Sequence, residues 1–464
     1  PITVEEVSKL FSKCKVGKAC GPDNLCTRIL KECSVELAPV FCKLFNLCLE
    51  KETLPDIWKL SAISPLPKTA NPKCSNDFRP IALTSVVMKI FEQIIKSRLL
   101  SHIVLDEHQF AYRKNRSTKD ACIALDHVLR SHLEKANSYA RVLFVDFSSA
   151  FNTIVPNFLI DKLISSNVPK YIVSFVKAFL CDRRQFVRVG GAKSNILNCD
   201  IGCPQGCVLS PVLFSIHTDF IRSNHSDFKI FKYADDMALV GLLNYKTDHS
   251  FYYDAIEHYI EQCRDVNLLI NAKKTQEMVL SFSRTYAVYD YLFINNSPIE
   301  HVANFKYLGT VFSNDLKWHA NTEVLYSKIK SRFYAFSKFK DFKPTSCQKQ
   351  YFIQSLIVPI LFYNIELWFY SCTKGERQRL CKNFEKNGYF LDLVNQVNTR
   401  IEKTARIFIS CDTHILNECY ELMRSFYRMP KTRTERFLNS FIPTSIQILN
   451  SDGMNVSRAS TTLL

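Results

Sequence analysis

Glycine is scarce in this chain, with 11 among 464 residues. A residue used so sparingly stands where a side chain would hinder, so its positions carry information. Long apolar runs are missing too. The most apolar stretch, Leu356 to Tyr370, is broken by Pro359, Asn364 and Glu366 and falls short of the roughly 20 residues a bilayer helix needs, so no membrane span is expected. No basic-then-apolar leader opens the chain, and its first residue is Pro1 rather than Met, so a processed chain or part of a longer one is expected. Internal repeats and low-complexity tracts are absent. The 18 cysteines lack the density of a small disulfide-stapled domain, which implies free thiols in a reducing interior.

Positive charge, by contrast, is in excess. Lys and Arg number 60 against 44 Asp and Glu, for a formal net charge of +16, which argues for a polyanionic partner. With 47% apolar and 22% charged residues the composition is that of a globular protein. At roughly 150 residues per domain the length suggests about three structural units.

Apolar residues recur at helical spacing from Ser34 to Lys51 and from Val86 to Leu105. Between them, Ser64 to Pro80 holds Pro65, Pro67 and Pro72, residues kept out of helix interiors and central strands, and is expected to be an extended, solvent-reachable connector. Arg141 to Asp146 is a β-rich run ending on an acid, and Pro156 to Cys181 predicts two helices broken near Pro169. Gln185 to Asp200 reads as a hairpin about Gly190-Gly191, and Phe228 to Val240 as another whose strands meet at Asp235-Asp236. Helices and strands mix without βαβ alternation, which predicts an α+β fold. From about Trp318 the pattern is helical and basic. The tail from about Gln396 looks less regular, with a short amphipathic element at Arg433 to Ile442.

The sharpest chemical signal is acidic: Asp146 and Asp235-Asp236, each at the edge of an apolar strand. Carboxylates at the ends of buried strands repel unless a cation lies between them. Oxygen ligands with no His or Cys nearby suit Mg²⁺, or Mn²⁺, rather than zinc. Two such ions about 3.5–4 Å apart clamp the attacking and leaving oxygens of an in-line phosphoryl displacement. With the basic charge, this points to nucleotidyl transfer. Alone, an Asp-Asp pair between strands is more often a hairpin turn, so the surrounding motifs decide.

Those motifs are ordered. Phe144-Val-Asp-Phe-Ser-Ser-Ala-Phe151, Gly202-Cys-Pro-Gln-Gly-Cys-Val-Leu-Ser-Pro211 and Lys232-Tyr-Ala-Asp-Asp236 follow one another as reverse-transcriptase motifs A, B and C do. Asp77 to Ser85 and Gln109 to Ala121 are similar to the fingers motifs, residues 267–275 to motif D, and Phe305 to Gly309 to the primer grip. The set resembles the reverse transcriptases of non-long-terminal-repeat retrotransposons, the jockey and Rex-like group in particular, from about Gly21 to the basic tail.

This resemblance implies a right-hand polymerase with an antiparallel palm sheet and a helical thumb. Its parts would be an N-terminal helical extension over 1–60, fingers and palm over 61–318, thumb over 319–395 and a basic C-terminal segment over 396–464. It implies an RNA-directed DNA polymerase that extends a primer 3′-hydroxyl on an RNA template, in target-primed retrotransposition. Asp146, Asp235, Asp236 and the carbonyl of Phe147 would hold two Mg²⁺. The amides of Ser149 and Ala150 would face the triphosphate, and Phe151 would sit under the sugar as the deoxynucleotide gate. Arg113, Lys114, Arg116 and Gln205 would bind the nucleotide. Pro204 and Gly206 would touch the template and nascent pair, Tyr307, Leu308 and Gly309 the primer. Lys274 would protonate the departing pyrophosphate. The implied partners are an RNA template, a DNA primer or target, deoxynucleoside triphosphates and an endonuclease domain outside this chain, in cytoplasm and nucleus. Tyr112, Asn115 and Ser215 depart from the family's usual Phe, Gly and Asn. The competing readings are a group II intron-type maturase and a polymerase relic that only binds nucleic acid.

Two further clusters have plainer readings. Cys411, His414 and Cys419 lie together, one ligand short of a closed zinc site, and are expected to be part of a helical segment with buried thiols. Tyr326, Ile329, Phe333 and Phe336 fall at helical spacing and predict thumb core, leaving the six basic residues between Lys328 and Lys343 to track phosphates.

Overall fold

The computed structural model describes residues 1–283 and 289–451. Two bodies are each assembled from three separate stretches: Pro1–Asp106, Phe147–Arg222 and His258–Ile270 form the first, and Glu107–Asp146, Ser223–Glu257 and the chain from Asn271 onward form the second. In chain order the strands are β1 (Leu60–Pro67), β2 (Phe78–Leu83), β3 (Ser138–Val145), β4 (Arg183–Val189), β5 (Ala192–Lys193), β6 (Leu197–Cys199), β7 (Phe228–Tyr233), β8 (Asp236–Asn244), β9 (Gln276–Ser281), β10 (Phe293–Ile294), β11 (Ser297–Pro298), β12 (Glu300–His301), β13 (Asn304–Tyr307) and β14 (Thr310–Ser313). The mixture of sheets and helices without βαβ alternation is the α+β class expected.

The first body holds the sheet β2-β1-β4-β5, with β6 on β4. Here the proline-rich connector is corrected at its ends: Ser64–Pro67 and Phe78–Pro80 are paired strand, with Pro65 opposite Pro80, while residues 68–75 between them are the exposed connector expected. The reason is local. β1 pairs with β4 only over Leu60–Ile63, so from Ser64 onward it has one neighbour, β2, and a residue without an N–H costs no ladder bond on the vacant side. The helices Ser34–Glu50 and Val86–Leu100 form as their periodicity predicts. The second stops at Leu100, short of the expected Leu105. Phe45 and Phe91, one from each, stack at 4.3 Å in the core. The break at Pro169 separates helices Pro156–Ser165 and Lys170–Leu180.

The second body is built on the sheet β12-β9-β3-β8-β7. β3 runs antiparallel between β8 and β9, and all eight of its residues are buried. One of them is charged. Arg141 forks onto buried Glu277, donating at 2.8 and 2.7 Å, and Tyr252 donates to the same carboxylate at 2.5 Å, so the interior charges are paired and hydrogen-bonded. In helix His319–Lys340, Ile329, Phe333 and Phe336 are buried, and Lys328, Lys330, Arg332, Lys338 and Lys340 are not. The tail is more regular than expected. Leu393–Ile409 is a 17-residue helix whose Leu393, Val397, Ile401, Ala405 and Phe408 are buried. Residues 452–464 lie outside the described residues. Among those described, no helix is long and apolar enough to cross a membrane, and all 18 cysteines are free thiols.

Candidate active site

In the second body the acids arrive from two directions. β3 ends at Val145 opposite Met237 of β8, and the same register carried one residue further sets Asp146 across from Asp236. Asp236 begins β8 and pairs with Tyr233 at the end of β7, leaving Ala234 and Asp235 as the turn. Ala234 holds φ +57°, a conformation that disfavours a Cβ and is kept only where the surroundings impose it. Asp236 senses the other two carboxylates. Burial, then Asp235 and Asp146, push the Asp236 carboxyl up to about 6, as expected where negative charge is concentrated.

Lys274 is delivered to the same place by the loop before β9. The Asn271 amide donates to the Asp146 carbonyl at 2.8 Å, the Asp146 amide donates to the Thr275 hydroxyl at 3.3 Å, and the Lys274 ammonium lies 3.8 Å from the Asp146 carboxylate. Among the described residues no three His, Cys, Asp or Glu side chains converge into a ready metal cage. The donor chemistry nevertheless suits a hard divalent cation: oxygens only, with enough like charge to raise a carboxyl's proton affinity.

The loop that carries Arg113 and Lys114 is tied to β7, the strand that leads to Asp235. Phe110 N–H donates to the Lys232 carbonyl at 2.9 Å and Lys232 N–H to that of His108 at 2.9 Å. Arg113 and Lys114 follow in a loop where Tyr112 and Asn115 hold φ +61° and +58°. Arg116 turns elsewhere, donating to the Thr413 carbonyl at 2.6 Å. Its guanidinium is thereby tied to the C-terminal part of the body. Tyr307, the last residue of β13, is buried with its ring 5.6 Å from that of Phe144, so it acts through packing, whereas Leu308 and Gly309 form the turn.

The first body holds the rest. Phe147 pairs with Ile270, and Ser149, at φ +57°, turns the chain into the short helix Ala150–Asn152. Phe151 stacks on Phe214 at 4.6 Å, and its carbonyl accepts the Cys203 amide at 2.8 Å. Beyond Cys203, the Gln205 carbonyl accepts the Ala82 amide of β2 at 2.7 Å. Gly206 has φ +112°, and a Cβ there would lie 2.9 Å from the Ala82 carbonyl oxygen.

A family model described as reverse transcriptase (RNA-dependent DNA polymerase) matches residues 66–312. The chain belongs to the reverse transcriptase family. It is 26% identical over 389 residues to the probable RNA-directed DNA polymerase from transposon BS of Drosophila melanogaster, covering 79% of this chain and 42% of that protein. It is 27% identical over 388 residues to the RNA-directed DNA polymerase from mobile element jockey of the same fly, covering 79% and 41%. A Pol polyprotein from the type-2 retrotransposable element R2DM is 27% identical over 208 residues, 45% of this chain and 19% of that one. The chain thus spans about two-fifths of the length of the first two relatives.

Within this member of the family, Glu92 was missed by reading motifs alone. It lies on helix Val86–Leu100, wholly buried, and its carboxylate accepts the amides of Val208 and Leu209, just after the motif B turn, at 2.7 and 2.8 Å. A carboxylate on the apolar face of an amphipathic helix was the available signal. Burial outweighs those two hydrogen bonds and pushes the carboxyl from an ordinary 4.5 up to about 7. The unfolded chain therefore gives up this proton first as pH rises, and the fold loses about 3 kcal/mol between pH 4.5 and 7 from this group. Denaturant unfolding at pH 5 and pH 8 should show that loss in the wild type and its disappearance in Glu92→Gln.

Tyr112 was noted only as a departure. Its hydroxyl is held above the usual phenol range by burial and by Asp235 nearby, which places it beside the acids. The Cys411, His414 and Cys419 cluster disperses. His414 stacks on Phe408 at 4.1 Å and Cys419 meets His127 at 3.3 Å, so the three do not converge.

Proposed function

We propose that this chain is an RNA-directed DNA polymerase, extending a primer 3′-hydroxyl on an RNA template with deoxynucleoside triphosphates in target-primed retrotransposition. The observation that carries this reading is the concentration of Asp146, Asp235 and Asp236 at one end of the β3, β7 and β8 strands, where burial and then the two neighbouring acids raise the Asp236 carboxyl to about 6. In right-hand terms the second body supplies the palm sheet, with the thumb over 319–395 and a basic segment from 396. Residues 61–318 contain fingers and palm, preceded by a helical extension over 1–60.

Asp146, Asp235 and Asp236, with the Phe147 carbonyl, would hold two Mg²⁺, or Mn²⁺. When bound, these ions would lower the barrier by stabilising charge on the attacking and leaving oxygens. Arg113 and Lys114 bind the triphosphate, the amides of Ser149 and Ala150 add donors, and Gln205 lines the nucleotide site. Lys274 holds a proton beside Asp146 for the leaving pyrophosphate. Pro204 and Gly206 meet the template and nascent pair. The exposed lysines of helix His319–Lys340 track phosphates without reading bases. An endonuclease in the longer protein would supply the nicked primer, and the enzyme would work in cytoplasm and nucleus.

Primer extension on an RNA template with deoxynucleotides and Mg²⁺ tests the reading. Products that require intact acids are expected, whereas duplex binding without extension would favour the relic. Phe151 supports a second measurement. If its ring excludes a 2′-hydroxyl, Phe151→Ala should lower discrimination against ribonucleotides by about a hundredfold, because the selectivity rests on a clash. Unchanged discrimination would remove Phe151 as the gate.

A further inference from the structure

The turn joining β13 to β14 is held in an unfavourable conformation. Leu308 has φ +45° and Gly309 φ +85°, the sign pattern of a tight hairpin turn that favours Asn or Gly at both positions. Leucine lacks the short polar side chain that makes the left-handed region tolerable, so the surroundings must hold it there. They are visible. The Tyr363 hydroxyl donates to the Leu308 carbonyl at 2.7 Å. The Tyr363 ring covers the next residue, because a Cβ on Gly309 would lie 3.0 Å from it.

The clamp has a second jaw. Asn364 donates to the Thr310 hydroxyl at 2.9 Å, on the far side of the turn, and is itself held at φ +49°. Trp368, fully buried, donates to the Tyr363 carbonyl at 3.2 Å and roots the pair in the core. The Tyr363 hydroxyl also lies 3.4 Å from that of Thr118, at the start of the helix that follows Arg113 to Arg116. A phenol has one hydrogen. The 2.7 Å bond to Leu308 takes it, and donation to Thr118 at 3.4 Å is the longer alternative for the same hydrogen, so one hydroxyl reaches both the turn and the nucleotide-side loop.

We propose that Tyr363 is a positioning residue for the primer terminus, fixing the Leu308-Gly309 turn from outside the hairpin. The inference rests on the polymerase reading, in which this turn grips the primer. Tyr363 is 40% exposed, so loss of its hydroxyl leaves the hydrophobic core intact, while the turn it holds gains freedom. A small displacement of a reacting group is costly in rate even when binding is unchanged.

The test compares wild type, Tyr363→Phe and Gly309→Ala in single-turnover extension of a DNA primer on RNA, with Asp235→Asn as the dead control. Tyr363→Phe should extend about tenfold more slowly, with duplex Kd and dNTP KM unchanged and Tm within about 2 °C of wild type. Gly309→Ala, which drives a methyl toward the same ring, should show the same rate defect. If wild type extends and Tyr363→Phe extends equally fast, the positioning role is overturned and the polymerase reading stands. A Tyr363→Phe defect that appears in duplex affinity or Tm instead of the rate also overturns it. If wild type does not extend, the polymerase reading fails and this inference with it.

Discussion

Replacing Asp235 with asparagine is expected to lower primer extension by at least about a thousandfold, which corresponds to about 4 kcal/mol of lost transition-state stabilisation. Asparagine keeps the shape and removes a charge from a cluster whose use depends on charge. The position is exposed, in the two-residue turn between β7 and β8, so the core is untouched and folding should be unaffected. Binding of the template–primer duplex should persist, because the basic surfaces that contact phosphates lie elsewhere in the chain. Extension and duplex binding measured side by side separate the outcomes: wild-type extension by the variant would remove Asp235 from the active site. Loss of both activities together with altered circular dichroism would point to a role in folding.

Gly206→Ala should destabilise the fold by about 3 kcal/mol and slow extension further than that loss explains, for two additive reasons. At φ +112° a residue with a Cβ is strained whatever the space around it, and the new methyl would lie 2.9 Å from the Ala82 carbonyl oxygen. That oxygen belongs to β2, whose Ala82 amide already donates to Gln205, so relief requires moving the Pro204-Gln205-Gly206 turn itself. Gly375→Ala is the control. It lies in helix Lys374–Glu385 with nothing near its missing Cβ, and substitution there should stabilise by roughly 0.5–1 kcal/mol. Equal midpoints for the Gly206→Ala variant and wild type in chemical unfolding would show that the turn relaxes freely.

Much of this was readable beforehand where chemistry and local pattern agree. Asp146 and Asp235-Asp236 stand out because ionised residues interrupt apolar strands, and the turn between β7 and β8 falls where those strands were expected to meet. Glycine scarcity singled out Gly206, but the close approach it permits in the fold is to the backbone of β2, a partner distant in sequence. The prolines of β1 misled because periodicity does not report which stretch of a strand has neighbours on both sides. Helix Leu393–Ile409 carries a clear apolar repeat that the tail's polar composition masked. Glu92 could be noticed on its apolar helix face, but what it and Tyr363 meet was out of reach for another reason: the amides and carbonyl lie far along the chain, and no motif records that.

The placement of β3 has a consequence for how the protein is made. All eight of its residues are buried, but its partners β8 and β9 extend to Asn244 and Ser281. At roughly 5–20 residues per second of synthesis, a ribosome that has just added Val145 needs on the order of ten seconds to supply both. Throughout that interval a mostly apolar strand, its Arg141 still without Glu277, emerges with two open edges. Messages truncated before Ser281 would yield products with that strand incompletely paired, prone to aggregate or to bind chaperones. The stretch that encodes β8 and β9, Asp236 to Ser281, thus governs whether the earlier β3 stays soluble.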